Sequence, residues 1–421
     1  MSSIENFLKH ELIHQLSSDE IDLDNKSYTF YVGFDPTGDS LHVGHLYVLI
    51  TMMRLQKLGH NPIAVLGGAT GMIGDPSGKS KERVLLTEEL IEHNLNGISK
   101  QIKKFIRVEE GAKVVNNMDW FRPHTFISFL RDVGKMFRVT EMMAKESVKK
   151  RLASDEGMSF TEFAYQVLQA YDFLHLNENH NCDLQVGGSD QWGNITAGTD
   201  LIRKKNGNKA FGITIPLIKS ANGEKFGKTS SGDNYWLDPE KTSPYEFYQF
   251  WIQREDSEVI KYLRYFTFLD EEEIARLETC LQDEPHKREA QKTLAYEVTK
   301  LVHDQDAADL AIRATQVLFG GSLDGLNDET LLSIFKDVPS IECPRSSLVN
   351  KELGILDLLT QASLCKSKGE ARRLIKQGGV YLNNEKVSDE TKVLNEEDLS
   401  SESIMIIRSG RKKYALANFV N

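Results

Sequence analysis

Residues 28–66 decide the fold of this chain, and they read YTFYVGFDPTGDSLHVGHLYVLITMMRLQKLGHNPIAVL. The apolar run at 28–34 predicts a buried strand, the spaced apolar residues of 41–58 predict a helix, and 62–66 predict a second strand. This order is typical of a parallel sheet covered by helices, so we predict an α/β domain. Further candidate strands lie at 112–116, 182–186 and 211–215.

Composition indicates a globular protein with several domains. The chain has 421 residues, 40% hydrophobic and 27% charged, and is longer than a single hydrophobic core usually grows. The longest apolar stretch, near 47–53, is too short to cross a bilayer, and the N-terminus lacks a signal or transit pattern. We therefore expect a cytoplasmic protein without a membrane segment. The net charge of -11 argues against a protein that coats nucleic acid.

The cysteines predict neither a disulfide framework nor a zinc site, because they are scattered and form no C-x-x-C pair. They are Cys182, Cys280, Cys343 and Cys365.

Beyond the α/β pattern the chain divides into further segments. From about 245 to 318, spaced Leu, Ile and Phe among Glu and Lys predict helices, and a stretch rich in Gly, Asp and Ser follows. The remainder has a compact α+β pattern that ends in short strands near 404–408 and 413–416. We predict an α/β domain at 1–222, a mobile loop at 223–232, a helical domain at 233–319, a linker at 320–350 and a small α+β domain at 351–421.

The first predicted helix opens on the tetrapeptide HVGH. His42 and His45 share one face of its first turn, where free amides and the helix dipole favour anions, so they predict a phosphate site. Gly44 leaves room for a flat ligand such as adenine, and Asp39 or Ser40 can cap the helix. Two unrelated surface histidines remain an alternative.

A glycine-rich loop, GGATGMIGDPSGKS at 67–80, follows the second strand and suggests a P-loop. The P-loop pattern requires Gly at position 73, where this chain has Ile73, and Gly74 comes one residue too late. Pro76 also removes an amide that a phosphate cradle would use. A P-loop is therefore disfavoured, while a purely structural turn stays open.

A third loop, GEKFGKTSSG at 223–232, places Lys225 and Lys228 three residues apart between glycines. Mobile lysines suit the binding of a polyphosphate and the later release of pyrophosphate. Taken alone, the pattern also fits a solvated loop. Combined with HVGH at the start of the first helix, it predicts a triphosphate site.

Two more segments carry polar residues where a ligand would bind. In the predicted helix at 163–172, Tyr165, Gln169 and Asp172 share one face among apolar neighbours, where unpaired polar groups cost about 1–3 kcal/mol each. The segment GGSDQWGN at 187–194 follows a strand end, where ligands of open α/β sheets gather. A buried structural network is the alternative for the helix.

Together, HVGH and KFGKT resemble the two signature motifs of class I aminoacyl-tRNA synthetases. The bacterial-type tyrosyl-tRNA synthetases are similar over essentially the whole chain, most clearly at 33–45, 67–83, 160–172, 185–196 and 225–229. The resemblance implies a Rossmann-like catalytic domain, a helical anticodon-binding domain and a ribosomal-protein-like RNA-binding domain. It also implies L-tyrosine, ATP with Mg²⁺ and tRNA(Tyr) as ligands, a homodimer, and neither zinc nor an organic cofactor.

The resemblance assigns tyrosine contacts residue by residue. Tyr165 and Gln169, helped by Asp75, would bind the α-amino group of tyrosine. Asp172 and Tyr31 would hold its phenolic hydroxyl. The remaining tyrosine contact, Gln191, would orient the carboxylate.

The nucleotide and RNA contacts are assigned in the same way. The groups implied to stabilise charge on the phosphates during catalysis are Thr37, His42, His45, Lys225, Lys228 and Thr229. The further ATP contacts implied are Gly33, Asp35, Gly44, Gly188 for close backbone approach, Asp190 for the ribose, and Lys79 and Arg83 for pyrophosphate. The implied RNA contacts are Lys366, Lys368, Arg372, Arg373 and Lys376.

Two positions depart from many relatives, which have Cys in place of Val32 and, in some, Thr in place of Val48. Both lie on the nucleotide side, so we expect a modest change in ATP affinity and not a loss of chemistry. The apolar run at 126–137 fits either a core helix or the dimer interface that relatives place near here.

Three alternatives stay open. A tryptophanyl enzyme shares the class I motifs, although Asp172 with Tyr31 favours a phenol. A P-loop NTPase regulator is disfavoured by the misplaced glycine. A catalytically idle RNA-binding descendant of a synthetase is disfavoured because both histidines and both lysines are present.

Overall fold

The computed structural model describes residues 2–77, 85–153, 157–218, 226–227, 233–317, 323, 325–336, 338–410 and 413–420. The chain forms two compact units, the first comprising Met1–Asp238 with Ile260–Arg276 and the second comprising Pro239–Val259 with Leu277–Asn421. No helix within these described ranges has the length and apolar character that a membrane-spanning helix requires.

A six-stranded sheet is the centre of the first unit. Its strands are β1 (Gln15–Leu16), β2 (Thr29–Phe34), β3 (Asn61–Leu66), β4 (Lys113–Asn116), β5 (Cys182–Gly188) and β6 (Phe211–Ile215). They lie in the order β1-β6-β5-β2-β3-β4, and every neighbouring pair is parallel except β1 with β6. The predicted parallel-sheet α/β fold is therefore confirmed.

The helices of the first unit follow the strands along the chain. They are α1 (Ser3–Lys9), α2 (Val43–Lys57), α3 (Glu88–Phe105), α4 (Met118–Phe121), α5 (Phe126–Asp132), α6 (Val139–Met143), α7 (Glu146–Leu152), α8 (Phe160–His180) and α9 (Trp192–Asn206). Helix α2 is mostly apolar and buried, as expected for a helix that packs on a parallel sheet. Helix α8 begins at the Ser159 cap and ends at Asn181, whose positive φ of 52° stops the helix.

The second unit contains helices and a five-stranded sheet. Its helices are α10 (Pro244–Ile252), α13 (Glu289–Val302), α14 (Gln305–Val317), α15 (Asp328–Ile334), α16 (Ser346–Val349), α17 (Ile355–Gln361) and α18 (Lys368–Lys376). Two more helices, α11 (Asp256–Phe266) and α12 (Glu271–Asp283), have residues in both units. The strands are β7 (Ser340–Pro344), β8 (Val380–Leu382), β9 (Glu385–Lys386), β10 (Ile404–Ser409) and β11 (Lys413–Val420), in the order β7-β11-β10-β8-β9.

Both faces of this second sheet are buried. One face packs against α17 and α18. The other contributes Ile404, Ile406 and Leu416 to a core shared with α10, α14 and α15. The helical and α+β parts of the unit therefore depend on each other for burial of apolar surface.

The interval 320–350 differs from the linker that its composition predicts. Its described part contains α15, β7 and α16, together with the buried residues Leu331 and Phe335. Glycine and serine content predicts a loop, but these apolar side chains pack into the shared core. Packing with residues distant in sequence overrides the local tendency.

Candidate active site

A cavity of about 290 Å³ opens at the carboxyl ends of the central strands of the first unit. This is where ligands of open α/β sheets bind. Its volume is at the lower end of the range of about 300–1,000 Å³ typical of small-molecule sites. Every residue predicted to contact tyrosine lines the cavity, namely Tyr31, Asp75, Tyr165, Gln169, Asp172 and Gln191. Of the residues predicted to contact ATP, it is lined by Gly33, Asp35, Thr37, His45, Gly188 and Asp190.

Asp172 lies in the cavity wall with only 3% of its surface exposed. The indole Nε1 of Trp120 donates a hydrogen bond to its Oδ1 over 2.8 Å, and the Asn117 amide donates to its Oδ2 over 3.2 Å. Burial raises the pKa of Asp172 to about 8, although both hydrogen bonds favour the carboxylate. The side chain is thus held in one orientation, with an acceptor at the cavity.

The neighbouring Tyr31 is also buried, and its hydroxyl has no hydrogen-bond partner among the residues that the structure describes. Burial, with the charge of Asp172 as a second cause, raises the pKa of Tyr31 well above its usual value. A buried hydroxyl without a partner costs about 1–3 kcal/mol unless a ligand or water satisfies it. Tyr31 therefore offers a neutral hydroxyl to a bound molecule.

Further hydrogen bonds connect Tyr165, Asp35 and Thr70 in the cavity wall. The Tyr165 hydroxyl donates to Asp35 over 2.9 Å, and the Thr70 hydroxyl donates to the other oxygen of Asp35 over 2.8 Å. Asn117 in turn donates to Thr70 over 2.9 Å and so joins this network to Asp172. Two of the predicted tyrosine contacts, Tyr165 and Asp172, are therefore connected to Asp35 through hydrogen bonds.

Asn194, in the first turn of α9, forms hydrogen bonds with two glutamines that line the cavity. Its amide donates to Gln169 over 3.0 Å and to Gln191 over 3.2 Å. Gln191 also donates to Asp75 over 2.7 Å. These bonds hold the two glutamines and the aspartate in the positions from which they line the cavity.

The sequence did not predict Asn117, Trp120, Thr70 or Asn194 as site residues. A usable signal exists for Asn117 and Trp120, because they follow the strand β4 and the carboxyl ends of parallel strands meet at one edge. Thr70 and Asn194 lie in the glycine-rich segments 67–80 and 187–194, which were candidate ligand-binding segments, but no local pattern distinguished these two residues from their neighbours. Their importance comes from hydrogen bonds to residues far away in the chain.

The HVGH turn has a different cap from the one predicted. Helix α2 is capped by His42, whose Nδ1 accepts a hydrogen bond from the Gly44 amide over 3.0 Å, and not by Asp39 or Ser40. The reason is tertiary: Leu41 and His42 pair as extended chain with residues 235–237, so the helix starts only at Val43. Gly44 also has a role beyond the predicted one, since a β-carbon there would lie 2.7 Å from the His42 ring.

The hydrogen bonds of this turn determine which nitrogen of each imidazole carries the proton. The amide of His42 donates to Nδ1 of His45 over 3.3 Å, and Nδ1 of His42 accepts from Gly44. In each neutral ring, Nε2 must therefore carry the hydrogen. Burial, with His42 as a second cause, lowers the pKa of His45 to about 3. At neutral pH, His45 is thus an uncharged hydrogen-bond donor that lines the cavity. The other two predicted ATP contacts of this turn, His42 and Gly44, do not line it.

Only the centre of the KFGKT loop is described. Phe226 is buried against Tyr262 and Phe266, and the Gly227 oxygen accepts a hydrogen bond from the Tyr235 amide over 3.0 Å. Gly227 has a φ of 84°, and a β-carbon there would lie 2.2 Å from the Val43 side chain. The centre of this loop therefore packs on the HVGH turn. The predicted contacts Lys225, Lys228, Thr229, Lys79 and Arg83 lie outside the described residues.

An apolar residue that the sequence did not indicate lies beside Gly188, a predicted nucleotide contact. Leu217 follows β6, is 49% exposed and lies against Gly188, as does the carboxylate of Asp190. Val32 and Val48, the positions that depart from many relatives, both line the cavity. Leu217 and the valines are suited to a flat aromatic base, and Asp190 to a hydroxyl donor.

The predicted RNA contacts lie on or next to α18 in the second unit and are all exposed. Two of them are used in ion pairs, Lys368 with Asp357 and Lys376 with Glu390. The other three make no ion pair with any residue that the structure describes, and they are Lys366, Arg372 and Arg373.

Comparison with known proteins agrees with this fold and site. The family described as "tRNA synthetases class I (W and Y)" matches residues 23–320, and the "Tyrosine--tRNA ligase SYY-like C-terminal domain" matches residues 330–417. The tyrosine--tRNA ligase of Rhodopirellula baltica is 50% identical over 396 residues, 94% of this chain and 90% of that protein. The tyrosine--tRNA ligase of Porphyromonas gingivalis is 48% identical over 428 residues, 99% of each chain.

A solved structure is similar as well. The C-terminally truncated mitochondrial tyrosyl-tRNA synthetase of Aspergillus nidulans aligns with a TM-score of 0.67 and 32% identity, covering 75% of this chain and 94% of that one. Fold and site therefore define a class I aminoacyl-tRNA synthetase, an enzyme of the ligase class. The chain belongs to the tyrosine--tRNA ligase family. The family, fold and enzyme class predicted from sequence are confirmed, and the P-loop NTPase alternative is excluded.

Proposed function

We propose that this enzyme activates L-tyrosine with ATP, releases pyrophosphate and transfers tyrosine from the adenylate to the 3′-terminal adenosine of tRNA(Tyr). One observation carries the proposal: a single cavity is lined by every predicted tyrosine contact and by the predicted nucleotide contacts Asp35, Thr37, His45 and Asp190. The cavity can therefore bring an amino-acid carboxylate and a nucleotide phosphate together.

The pair formed by Asp172 and Tyr31 favours a phenol over the other aromatic side chains. A phenolic hydroxyl both donates, here to Asp172, and accepts, here from the hydroxyl of Tyr31. The indole of tryptophan only donates, and phenylalanine does neither. Either competitor would leave a buried polar group without a partner.

In the activation step, the tyrosine carboxylate attacks the α-phosphorus of ATP, and the bond to the bridging oxygen of pyrophosphate breaks. The carboxylate is already ionised, so no general base is required, and the enzyme contributes positioning and charge stabilisation. We assign that stabilisation to Thr37, His42 and His45, with Lys225, Lys228 and Thr229 from the loop. The Nε2 hydrogen of His45 suits this role, because it is a donor that keeps its protonation state across neutral pH.

In the transfer step, a terminal ribose hydroxyl of the tRNA attacks the carbonyl carbon of the adenylate, and AMP leaves. We assign Gly33, Asp35, Gly44, Gly188 and Asp190 to ATP and the adenylate. Lys79 and Arg83 would help to bind pyrophosphate during activation.

We expect Mg²⁺ to enter with ATP. No group of three or more His, Cys, Asp or Glu side chains in the described ranges could hold a metal, and Asp35 and Asp75 already accept protein hydrogen bonds. This fits an ion held mainly by nucleotide phosphates and water, as is usual for Mg²⁺. When bound, the ion would neutralise charge on the triphosphate.

Exchange of labelled pyrophosphate into ATP, measured with each of the twenty amino acids, tests the proposed activation step. We expect exchange with tyrosine only. Exchange with tryptophan instead, or with no amino acid, would contradict the proposal and favour the tryptophanyl enzyme or the idle RNA-binding protein.

For the RNA side we propose that residues 233–319 contact the anticodon region and that α18 contacts tRNA phosphates. Lys366, Arg372 and Arg373 carry most of this assignment, because Lys368 and Lys376 are used in ion pairs. Phosphate contacts of this kind are salt-sensitive and largely independent of sequence. We expect the enzyme in the cytoplasm, where translation uses its product.

Replacing Lys366, Arg372 and Arg373 by alanine is expected to lower kcat/KM for tRNA charging by about 10-fold or more and to reduce its salt dependence by roughly one unit of slope for each cation removed. Pyrophosphate exchange should not change. Point substitutions are preferable to deletion after residue 350, because deletion would expose the core that β10 and β11 share with α10 and α14. Equal damage to both steps would contradict the assignment.

We propose that the enzyme is a homodimer through α5. Phe126 and Ile127 are 66% and 69% exposed, and Leu130 is exposed beside them. Phe129, on the same helix, packs inward against Phe121 and Tyr171. Exposed apolar groups on one helix suit a symmetric interface, in which the same patch meets its copy.

Replacing Ile127 by aspartate is expected to halve the mass measured by sedimentation equilibrium, because each interface would then contain two unpaired buried charges. Leu8→Asp, which changes a leucine that is 44% exposed on α1, is the matched control and should leave the mass unchanged. A dimer that persists in Ile127→Asp, or a monomeric wild type, would argue against this interface.

A further inference from the structure

Trp236 lies next to both loops that the proposed function assigns to ATP. Its main chain forms an antiparallel bridge with His42. The amide of Val43 donates to the Tyr235 oxygen over 2.9 Å, and the amide of Leu237 donates to Leu41 over 2.8 Å. The chain around Trp236 is therefore paired with the residues that open α2.

The side chain of Trp236 contacts the same region. Its ring centroid is 5.9 Å from that of His42, and the two planes meet at 67°. A β-carbon added at Gly38 would lie 3.8 Å from two carbons of the indole, so the ring also rests against the turn that leads into α2. The His42 ring has His45 as a second aromatic neighbour, with centroids 4.1 Å apart.

These contacts restrict the orientation of the His42 imidazole. Its Nδ1 accepts a hydrogen bond from the amide of Gly44, and rotation of the imidazole about its side-chain torsions would change the direction of Nε2–H. Contact with the indole limits that rotation. The direction of a hydrogen-bond donor decides whether it stabilises charge that develops in the transition state.

Tyr235, the residue before Trp236, is hydrogen-bonded to the centre of the KFGKT loop at 225–229, which carries the two lysines. The amide of Tyr235 donates to the oxygen of Gly227, the residue before Lys228, over 3.0 Å. Gly227 and Tyr235 are therefore neighbours in the structure, and Trp236 follows Tyr235 directly in the sequence.

We propose that Trp236 is a positioning residue for activation of the amino acid: it orients Nε2–H of His42. This inference rests on the proposed function, in which His42 stabilises charge on the ATP phosphates. A tryptophan that only fills space would affect stability, but its effect would not depend on His42.

A double-mutant cycle separates these two roles. His42→Asn removes the Nε2 donor but keeps a good helix cap, because asparagine is among the preferred capping residues. We expect Trp236→Leu to lower kcat/KM for ATP in tyrosine-dependent pyrophosphate exchange by about 10-fold, of which about threefold or more depends on His42, a coupling within the range seen between contacting residues. In the His42→Asn background, the same substitution should cost about threefold or less. The dissociation constant for tyrosine should change by less than about twofold, because the tyrosine contacts keep their hydrogen bonds.

Trp236→Phe, which keeps an aromatic ring, should have an intermediate effect, and it replaces Trp236→Leu in the cycle if the latter fails to bind tyrosine. Trp192→Leu is the matched control, and its effect should be the same in both backgrounds. Equal losses from the Trp236 substitution with and without His42 would overturn the inference, as would no loss at all. Failure of the proposed function looks different: wild type would lack tyrosine-dependent exchange, or His42→Asn would be fully active.

Discussion

Replacing both Lys225 and Lys228 by alanine is expected to slow tyrosine-dependent pyrophosphate exchange by about 10³-fold or more, since loss of a single charge-stabilising donor typically costs about 10²–10³-fold in kcat. Tyrosine affinity should barely change, because the tyrosine contacts come from β2, the loop after β3, α8 and the segment after β5. The packing of Gly227 on Val43 supports this expectation, since it holds the centre of the loop on the turn that carries His42 and His45.

A matched control for this variant is the replacement of Lys103 and Lys104, two exposed lysines near the end of α3, by alanine. It removes the same charge from a surface away from the cavity lining and should leave exchange unchanged. Single-turnover measurement of adenylate formation would assign the loss to the chemical step. An exchange rate close to that of wild type would refute the role of the two lysines.

Asp172→Asn is expected to lower kcat/KM for tyrosine by about 10²- to 10³-fold, which combines a lost hydrogen bond to a charged group with an unsatisfied buried donor. The asparagine has a single oxygen, while Trp120 and Asn117 both donate to this side chain. The preference for tyrosine over phenylalanine should fall as well. Tyrosyl-tRNA synthetases are themselves the reference case for such rejection, at about 10⁵-fold, and that magnitude is taken over from them.

The raised pKa of Asp172 gives this prediction a pH dependence. With a pKa of about 8, the empty site holds a largely protonated carboxyl at pH 6.5 and a largely ionised one at pH 8.5. The carboxylate is the better acceptor for a phenol, so tyrosine affinity should rise as the pH rises across this range. Equilibrium binding measures this, and Asp172→Asn should remove the dependence. An unchanged profile in the variant would assign the pH effect to another group.

The Asp172→Asn variant also needs a control for the change from aspartate to asparagine itself. Asp119→Asn makes the same change at an exposed position one residue before Trp120. Its kinetics should match wild type. If both variants lose activity equally, the defect would be one of local folding around α4 and not of the tyrosine contact.

Much of the fold was predictable because it rests on local pattern. The strand at 211–215 was predicted with its observed ends, and the face of α8 that carries Tyr165, Gln169 and Asp172 does line the cavity. Helical periodicity fixes which residues share a face, and strand ends fix where a parallel sheet binds its ligand. The site roles of these residues stay predictions until the measurements above are made.

The sequence by itself determined the family, the parallel sheet and many of the polar residues that line the cavity, because motifs, periodicity and strand ends are properties of short segments. Only the tertiary structure decided that His42 caps α2, that Asn117 and Trp120 hold Asp172, and that residues 328–334 form a helix. Each of these depends on partners far away in the chain. Such contacts exist only after folding has brought the segments together, so no local pattern specifies them.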